Sequence, residues 1–361
     1  AAKPVLFNSE QILAYAVGNP SEGFGDRYEV FDKNRILARL PGPPFLFLDR
    51  IVHIEAEQWK MVAGGKITGE YDIPADAWYF DANRSETMPF VVLLEIALQP
   101  CGWFAAYMGS ALTSEADLHF RNLGGKAVQH RPIDRTSGTL SIAIRCTGVS
   151  SSGGMVIQNY DLAVSDAAGM IYEGVTNFGF FSAGALANQI GLRDAKPYQP
   201  TAAEQARSRT FNYPETAPFP ETELRMIDRV SVYVSDGGPE GLGFISGTKK
   251  VDPAAWFFKA HFYQDPVIPG SLGLESFFQL LKVMAHDRWG GEETSRFETI
   301  VCGEGHEWVY RGQVIPTDDE VTVQAVVRRT DEASRTMWAD GFLMVDGRII
   351  YQMKGFSLRL T

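Results

Sequence analysis

The chain has 361 residues, 45% hydrophobic and 21% charged, the balance of an ordinary folded protein with room for two domains. A net charge of −11 excludes a large nucleic-acid footprint, which needs a basic face, and three cysteines without a CxxC pair exclude a disulfide framework. Apolar runs such as Phe90–Leu98 fall short of the ~20 residues that span a bilayer, and Asn8, Ser9, Glu10 and Gln11 interrupt any secretory signal, so a soluble, cytoplasmic protein with no membrane partner is expected.

In chain order, residues 1–27 read as a lead-in with a short helix over Glu10–Val17. Residues 28–181 form a first unit. An apolar strand, Phe45–Ile51, leads through a hairpin to Trp78, then to an apolar helix, Pro89–Tyr107. Strands follow at Thr139–Cys146, Met155–Val164 and Met170–Phe181, the first two separated by the turn residues Ser150 to Gly154. Residues 182–220, rich in Ala, Pro and polar side chains, read as a linker. Residues 221–361 repeat the pattern: a strand at Leu224–Tyr233, Trp256, a helix at Ser271–His286, and strands at Glu320–Arg328, Thr336–Val345 and Arg348–Leu360. In the second helix Leu274, Phe277, Phe278, Leu281 and Met284 cover too much of the circumference for a surface stripe, so that helix is expected to be buried.

The two units are copies. Phe47-Leu-Asp-Arg-Ile51 recurs as Met226-Ile-Asp-Arg-Val230, Trp78 as Trp256, Met88-Pro89 as Ile268-Pro269, Glu95 and Gln99 as Glu275 and Gln279, and Ile171-Tyr172 as Ile350-Tyr351. The order is kept, at a spacing of 178 to 180 residues. A long antiparallel sheet wrapped around one central helix is the hotdog arrangement, so the expected class is α+β, a double hotdog. The halves should pack as one pseudo-twofold unit, helices back to back against one continuous sheet; a homodimer of that unit is compatible with this reading.

The stretch Trp256-Phe-Phe-Lys-Ala-His261-Phe-Tyr-Gln-Asp265-Pro-Val-Ile-Pro-Gly270-Ser-Leu-Gly-Leu274, with Gly312-Gln-Val-Ile-Pro316 downstream, resembles the bacterial 3-hydroxydecanoyl-ACP dehydratase/isomerase family. The first half resembles it more weakly, through the repeat. The tandem is similar to the dehydratase regions of polyunsaturated fatty acid synthases and related polyketide synthases. That implies a segment of a larger polypeptide, with Ala1 not a natural start. It also implies an acyl carrier protein partner delivered in cis, other synthase domains as neighbours, and no metal or organic cofactor. Where the family has its histidine, the second half has His261 and the first half Asn83, and Phe90 replaces the helix-opening glycine, Gly270.

Dehydrating a 3-hydroxyacyl thioester removes a weakly acidic α-proton and expels hydroxide. Neutral imidazole suits the first task, its ordinary pKa lying near neutral pH. A carboxylic acid kept protonated in an apolar tunnel suits the second. A backbone N–H at the helix start, at Gly270, would hold the thioester carbonyl. The resemblance implies that a site takes its histidine from one half and its acid from the other. His261 is therefore expected with Glu95, supported by Gln99 and by the Val267 carbonyl, which would hold the ring tautomer. A vestigial second site would join Asn83 with Glu275 and Gln279. The glutamines can equally satisfy backbone groups inside the fold, and Trp78 and Trp256 read as core. His53, His119, His130, His286 and His306 show no ligand spacing, so no metal site is expected. Two alternatives stay open: a hotdog acyl thioesterase, and a non-catalytic scaffold that binds a carrier protein.

Overall fold

The computed structural model describes residues 4–361. The described residues form one antiparallel sheet of 14 strands. Those of the first half are β1 (Arg50–Glu55), β2 (Lys66–Asp72), β3 (His119–Gln129), β4 (Thr139–Ser152), β5 (Met155–Asp166) and β6 (Gly169–Phe181). The rest are β7 (Arg209–Asn212), β8 (Arg229–Val234), β9 (Phe244–Lys250), β10 (Phe297–Thr299), β11 (Gly305–Tyr310), β12 (Glu320–Asp331), β13 (Thr336–Val345) and β14 (Arg348–Leu360). Their order across the sheet is β1-β2-β4-β5-β6-β3-β11-β14-β13-β12-β9-β8-β7, with β10 beside β14. From β1 to β8 this order is a palindrome: each half contributes the same succession, and the halves meet at β3 and β11. The chain is a double hotdog, its sheet continuous across the repeat.

Two helices lie inside the curl. The first core helix, Phe90–Tyr107, has every residue buried, and it is apolar and long enough to cross a bilayer had it not been enclosed. The sequence reading placed this helix at Pro89–Tyr107, and it runs from Phe90 to Tyr107 with Pro100 inside it. The second core helix, Gly270–Trp289, packs against the first, so the two apolar surfaces cover each other and form one core with the inward faces of the strands.

Three differences from the sequence reading have local causes. The strands expected from Phe45 and Leu224 begin only at Arg50 and Arg229. The preceding backbone is held by glutamine amides instead of a neighbouring strand. Gln99 Oε1 accepts from Phe47 N (2.7 Å) and its Nε2 donates to Phe45 O (2.8 Å); Gln279 does the same with Met226 N (2.7 Å) and Leu224 O (2.6 Å). The seam strands β3 and β11 went unread, because Gly124-Gly125 in a polar stretch looks like a turn. At Gly125 a Cβ would fall 2.5 Å from the Trp308 ring, so glycine is what lets β11 approach. Finally, the stretch expected as a linker is folded onto the second half. A Thr201–Glu204 capping box starts a short helix, Ala202–Ala206, and β7 pairs with β8 at the sheet edge.

Candidate active site

His261 closes the short helix Trp256–Ala260, its N–H bonding Phe257 O at 2.8 Å. Its ring is buried, with Nδ1 3.1 Å from Val267 O. A carbonyl can only accept, so Nδ1 carries the proton and Nε2 keeps its lone pair. The loop from His261 to Ile268 is tied down by Val267 N to His261 O (2.9 Å) and Ile268 N to Val314 O (2.9 Å). The second bond uses the Gly312–Pro316 motif as a strut.

Glu95 comes from the first half and meets the start of the second core helix, where Ser271 Oγ donates to its Oε1 at 2.6 Å. Gln99, one turn along the same helix, donates to Glu95 Oε2 at 3.0 Å. Gln99 thus bonds the Phe45 and Phe47 backbone and the Glu95 carboxyl at once. Glu95, Gln99, His261, Val267 and Gly270 all line one narrow cavity, about 90 Å³, which continues past Leu98 and Gly102 to Phe120. At Gly270 a Cβ would lie 2.7 Å from the Tyr310 ring, so glycine is required there. No side chain caps this helix start. A larger hollow, about 960 Å³, lies on the outer sheet face around Lys66, Lys126 and Arg145, and holds none of these groups.

Burial sets the electrostatics. It raises the Glu95 pKa above the ordinary carboxyl value, against the lowering bonds from Ser271 and Gln99. It pushes His261 down to about 3, with Arg121 adding to the effect. His261 is thus firmly neutral at working pH, but it is a weaker base than its ordinary value suggests; desolvation of the imidazolium is the reason.

The pseudo-symmetric position is built differently. Asn83 Oδ1 accepts from Lys282 Nζ at 3.1 Å, and the same ammonium lies 3.5 Å from Glu275 Oε1, which also takes a 3.3 Å bond from Gln279. Phe90 packs on Phe278 with ring centroids 5.4 Å apart. Trp78 and Trp256 meet each other at 5.5 Å and stay out of the His261 cavity.

Among the cavity residues that sequence reasoning missed are Ser271, Gly102, Tyr310 and Arg121. Ser271 and Gly102 were visible only as departures between aligned positions, opposite Val91 and Lys282. Tyr310 is the last residue of the seam strand β11, which was not read; its buried hydroxyl has no hydrogen-bond partner. Among the described residues, no group of three His, Cys, Asp or Glu side chains could hold a metal ion.

Residues 40–174 and 219–354 each match the FabA-like domain, and the chain belongs to that family as a tandem. It is 32% identical over 391 aligned residues to a polyunsaturated fatty acid synthase polypeptide of Thraustochytrium sp., covering 98% of this chain and 26% of that protein. The chain thus spans about a quarter of that relative. Solved structures similar to it include a trans-AT PKS dehydratase domain from Brevibacillus brevis (12% identity, TM-score 0.49, 88% of this chain and 98% of that one). Another is the dehydratase domain of RzxB from Pseudomonas fluorescens (10%, TM-score 0.49, 87% and 98%).

Proposed function

We propose that this chain dehydrates 3-hydroxyacyl thioesters to 2-enoyl thioesters in fatty acid or polyketide synthesis, at one site assembled from both halves. The observation that carries this is the Ser271–Glu95 bond, which brings the first half's acid to the second half's helix start, in the cavity that His261 lines. With the thioester carbonyl against the Gly270 N–H, the α-carbon faces His261 Nε2 and the 3-hydroxyl faces Glu95. His261 takes the α-proton and becomes imidazolium. The C–O bond breaks as Glu95 gives its proton to the departing hydroxyl, so water leaves and a carboxylate remains. Two neutral groups thereby become an ion pair across the product. Its attraction in a water-poor cavity offsets the weak basicity of the buried ring. Return of the proton from His261 to Glu95 resets the site. The unpartnered Tyr310 hydroxyl is placed to donate to the substrate oxygen beside Gly270.

The substrate arrives on an acyl carrier protein supplied in cis by a larger synthase, where tethering makes weak docking sufficient. The test is incubation with 3-hydroxyacyl carrier thioesters of several chain lengths, with products read by mass spectrometry. Loss of water supports the proposal. Release of free acid would point to a thioesterase, and absence of turnover to a scaffold.

A further inference from the structure

We infer that Arg121 is a positioning residue, which sets the His261 loop from the opposite half by clamping Asp265. It lies on β3 in the first half, two residues after His119, and Asp265 lies in the His261–Ile268 loop of the second. Arg121 Nη1 and Nη2 donate to Asp265 Oδ2 and Oδ1 at 2.6 and 2.8 Å, a bidentate fork, and His119 Nδ1 lies 3.0 Å from Oδ2. The three side chains are 11–17% exposed, so water does little to weaken the contact. Burial alone would raise the Asp265 pKa; His119 and Arg121 instead hold it far below the carboxylate range, so Asp265 stays a carboxylate.

Arg121 also donates through Nε to Gln313 Oε1 (2.7 Å) and through Nη1 to Phe120 O (2.9 Å). Four of its N–H bonds are thus committed to protein, which leaves little of the guanidinium for a ligand. What it grips matters to the site. Asp265 N and O both bond Phe262, the residue after His261, and Val267, two residues on, accepts the His261 ring proton. Moving Asp265 therefore moves both ends of the segment that fixes the tautomer. The pseudo-symmetric loop has no carboxylate gripped from the seam strand: β10 places Phe297 and Thr299 opposite Leu360 and Leu358, where β3 places His119 and Arg121 opposite Phe181 and Gly179. In that half the shorter loop carries Glu86, whose side chain is 87% exposed. The fork on a loop carboxylate accompanies the histidine; beside Asn83 the cross-half contact is instead made by Arg84, which pairs with Glu221 of the second half.

This inference rests on the dehydratase reading for its kinetic part only. The experiment compares full-length Arg121→Lys, Asp265→Asn and the charge-free double variant Arg121→Gln, Asp265→Asn by kinetics, melting temperature and ¹⁵N spectra of the His261 ring. Lysine keeps the charge but cannot form the fork. Each single variant should lose roughly a hundredfold in kcat with KM within about twofold, since misplacement of a reacting group by ~1 Å has that effect. The double variant should lose no more than either single, and its melting temperature should stay near that of the wild type because no buried charge is left alone. The ring spectra should change from one Nδ1–H tautomer to a mixture. Retention of the tautomer and of kcat would overturn the inference. So would losses that multiply in the double variant, or a rise in KM that matches the whole effect. If the wild type dehydrates nothing, the functional reading fails, and the ring spectra still decide whether the clamp holds the tautomer.

Discussion

The two pseudo-equivalent sites share a frame and differ in nearly everything that faces their cavities. In both, a glutamine one turn beyond the glutamate holds the backbone before the first strand, through bonds of 2.6–2.8 Å. Around that frame His261 stands opposite Asn83, Gly270 opposite Phe90, Ser271 opposite Val91 and Gly102 opposite Lys282. Gly102 leaves a passage beside Leu40 and Phe120, whereas Lys282 fills its place and neutralises Glu275. One copy is open around a carboxyl whose pKa burial raises and a neutral imidazole; the other is plugged by an ammonium and an aromatic ring. Duplication has let one cavity be filled by side chains while the other stays open, as the proposed chemistry requires.

That contrast can be broken by substitution. The largest effect should come from His261→Ala, which removes the base and should cut turnover by about 10²–10⁴-fold, measured at saturating substrate. Asn83→Ala should leave turnover within about twofold, because its amide has no basic nitrogen and its partner is Lys282. In the plugged copy, Lys282→Met should cost about 3–5 kcal/mol in denaturant unfolding, because Glu275 loses its cation in a fully buried site. Adding Glu275→Gln to it should recover most of that loss. An equally unstable double variant would show that Lys282 acts by packing alone.

Smaller effects sharpen the open copy. Tyr310→Phe removes a buried hydroxyl that has no partner within the protein, so stability should hold while kcat falls about tenfold, the worth of one hydrogen bond. The buried histidines should leave a mark on acid stability. His261 and His306 are both pushed down to about 3 by burial, while an unfolded histidine titrates near 6.5. Between those values the unfolded state binds more protons, so stability falls as pH drops from about 6.5 toward 3, by up to ~1.4 kcal/mol per pH unit for each ring. His306→Gln should flatten that slope by one ring's share in unfolding measurements across the window. An unchanged slope would mean that the ring is protonated in the folded state.

Much of this was legible because duplication writes the same signals twice. Asp49-Arg50 against Asp228-Arg229, Glu95 and Gln99 against Glu275 and Gln279, and the long apolar helices gave the fold, while the proposed pairing of His261 with Glu95 came from the family resemblance. What stayed hidden depended on contacts between distant segments. Gly124-Gly125 looks like a turn until Trp308 is seen to need the space. Arg121 and Asp265 are 144 residues apart, and neither has a partner at a recognisable spacing. Lys282 was visible as a lone cation in an apolar helix, but its purpose needs Asn83, 199 residues away, to be legible.

The central claim is that the working acid comes from the opposite half to the working histidine. The direct measurement compares turnover of one 3-hydroxyacyl thioester by Glu95→Gln and by Glu275→Gln, the latter made with Lys282→Met so that no buried ammonium is stranded. Melting temperatures should be recorded alongside. Glu95→Gln should lose most turnover while still folded, and the Glu275→Gln, Lys282→Met protein should keep it within about threefold, as expected for changes outside the reacting centre. An active Glu95→Gln beside a folded but inactive Glu275→Gln, Lys282→Met protein would contradict the cross-half site and place the chemistry within the second hotdog.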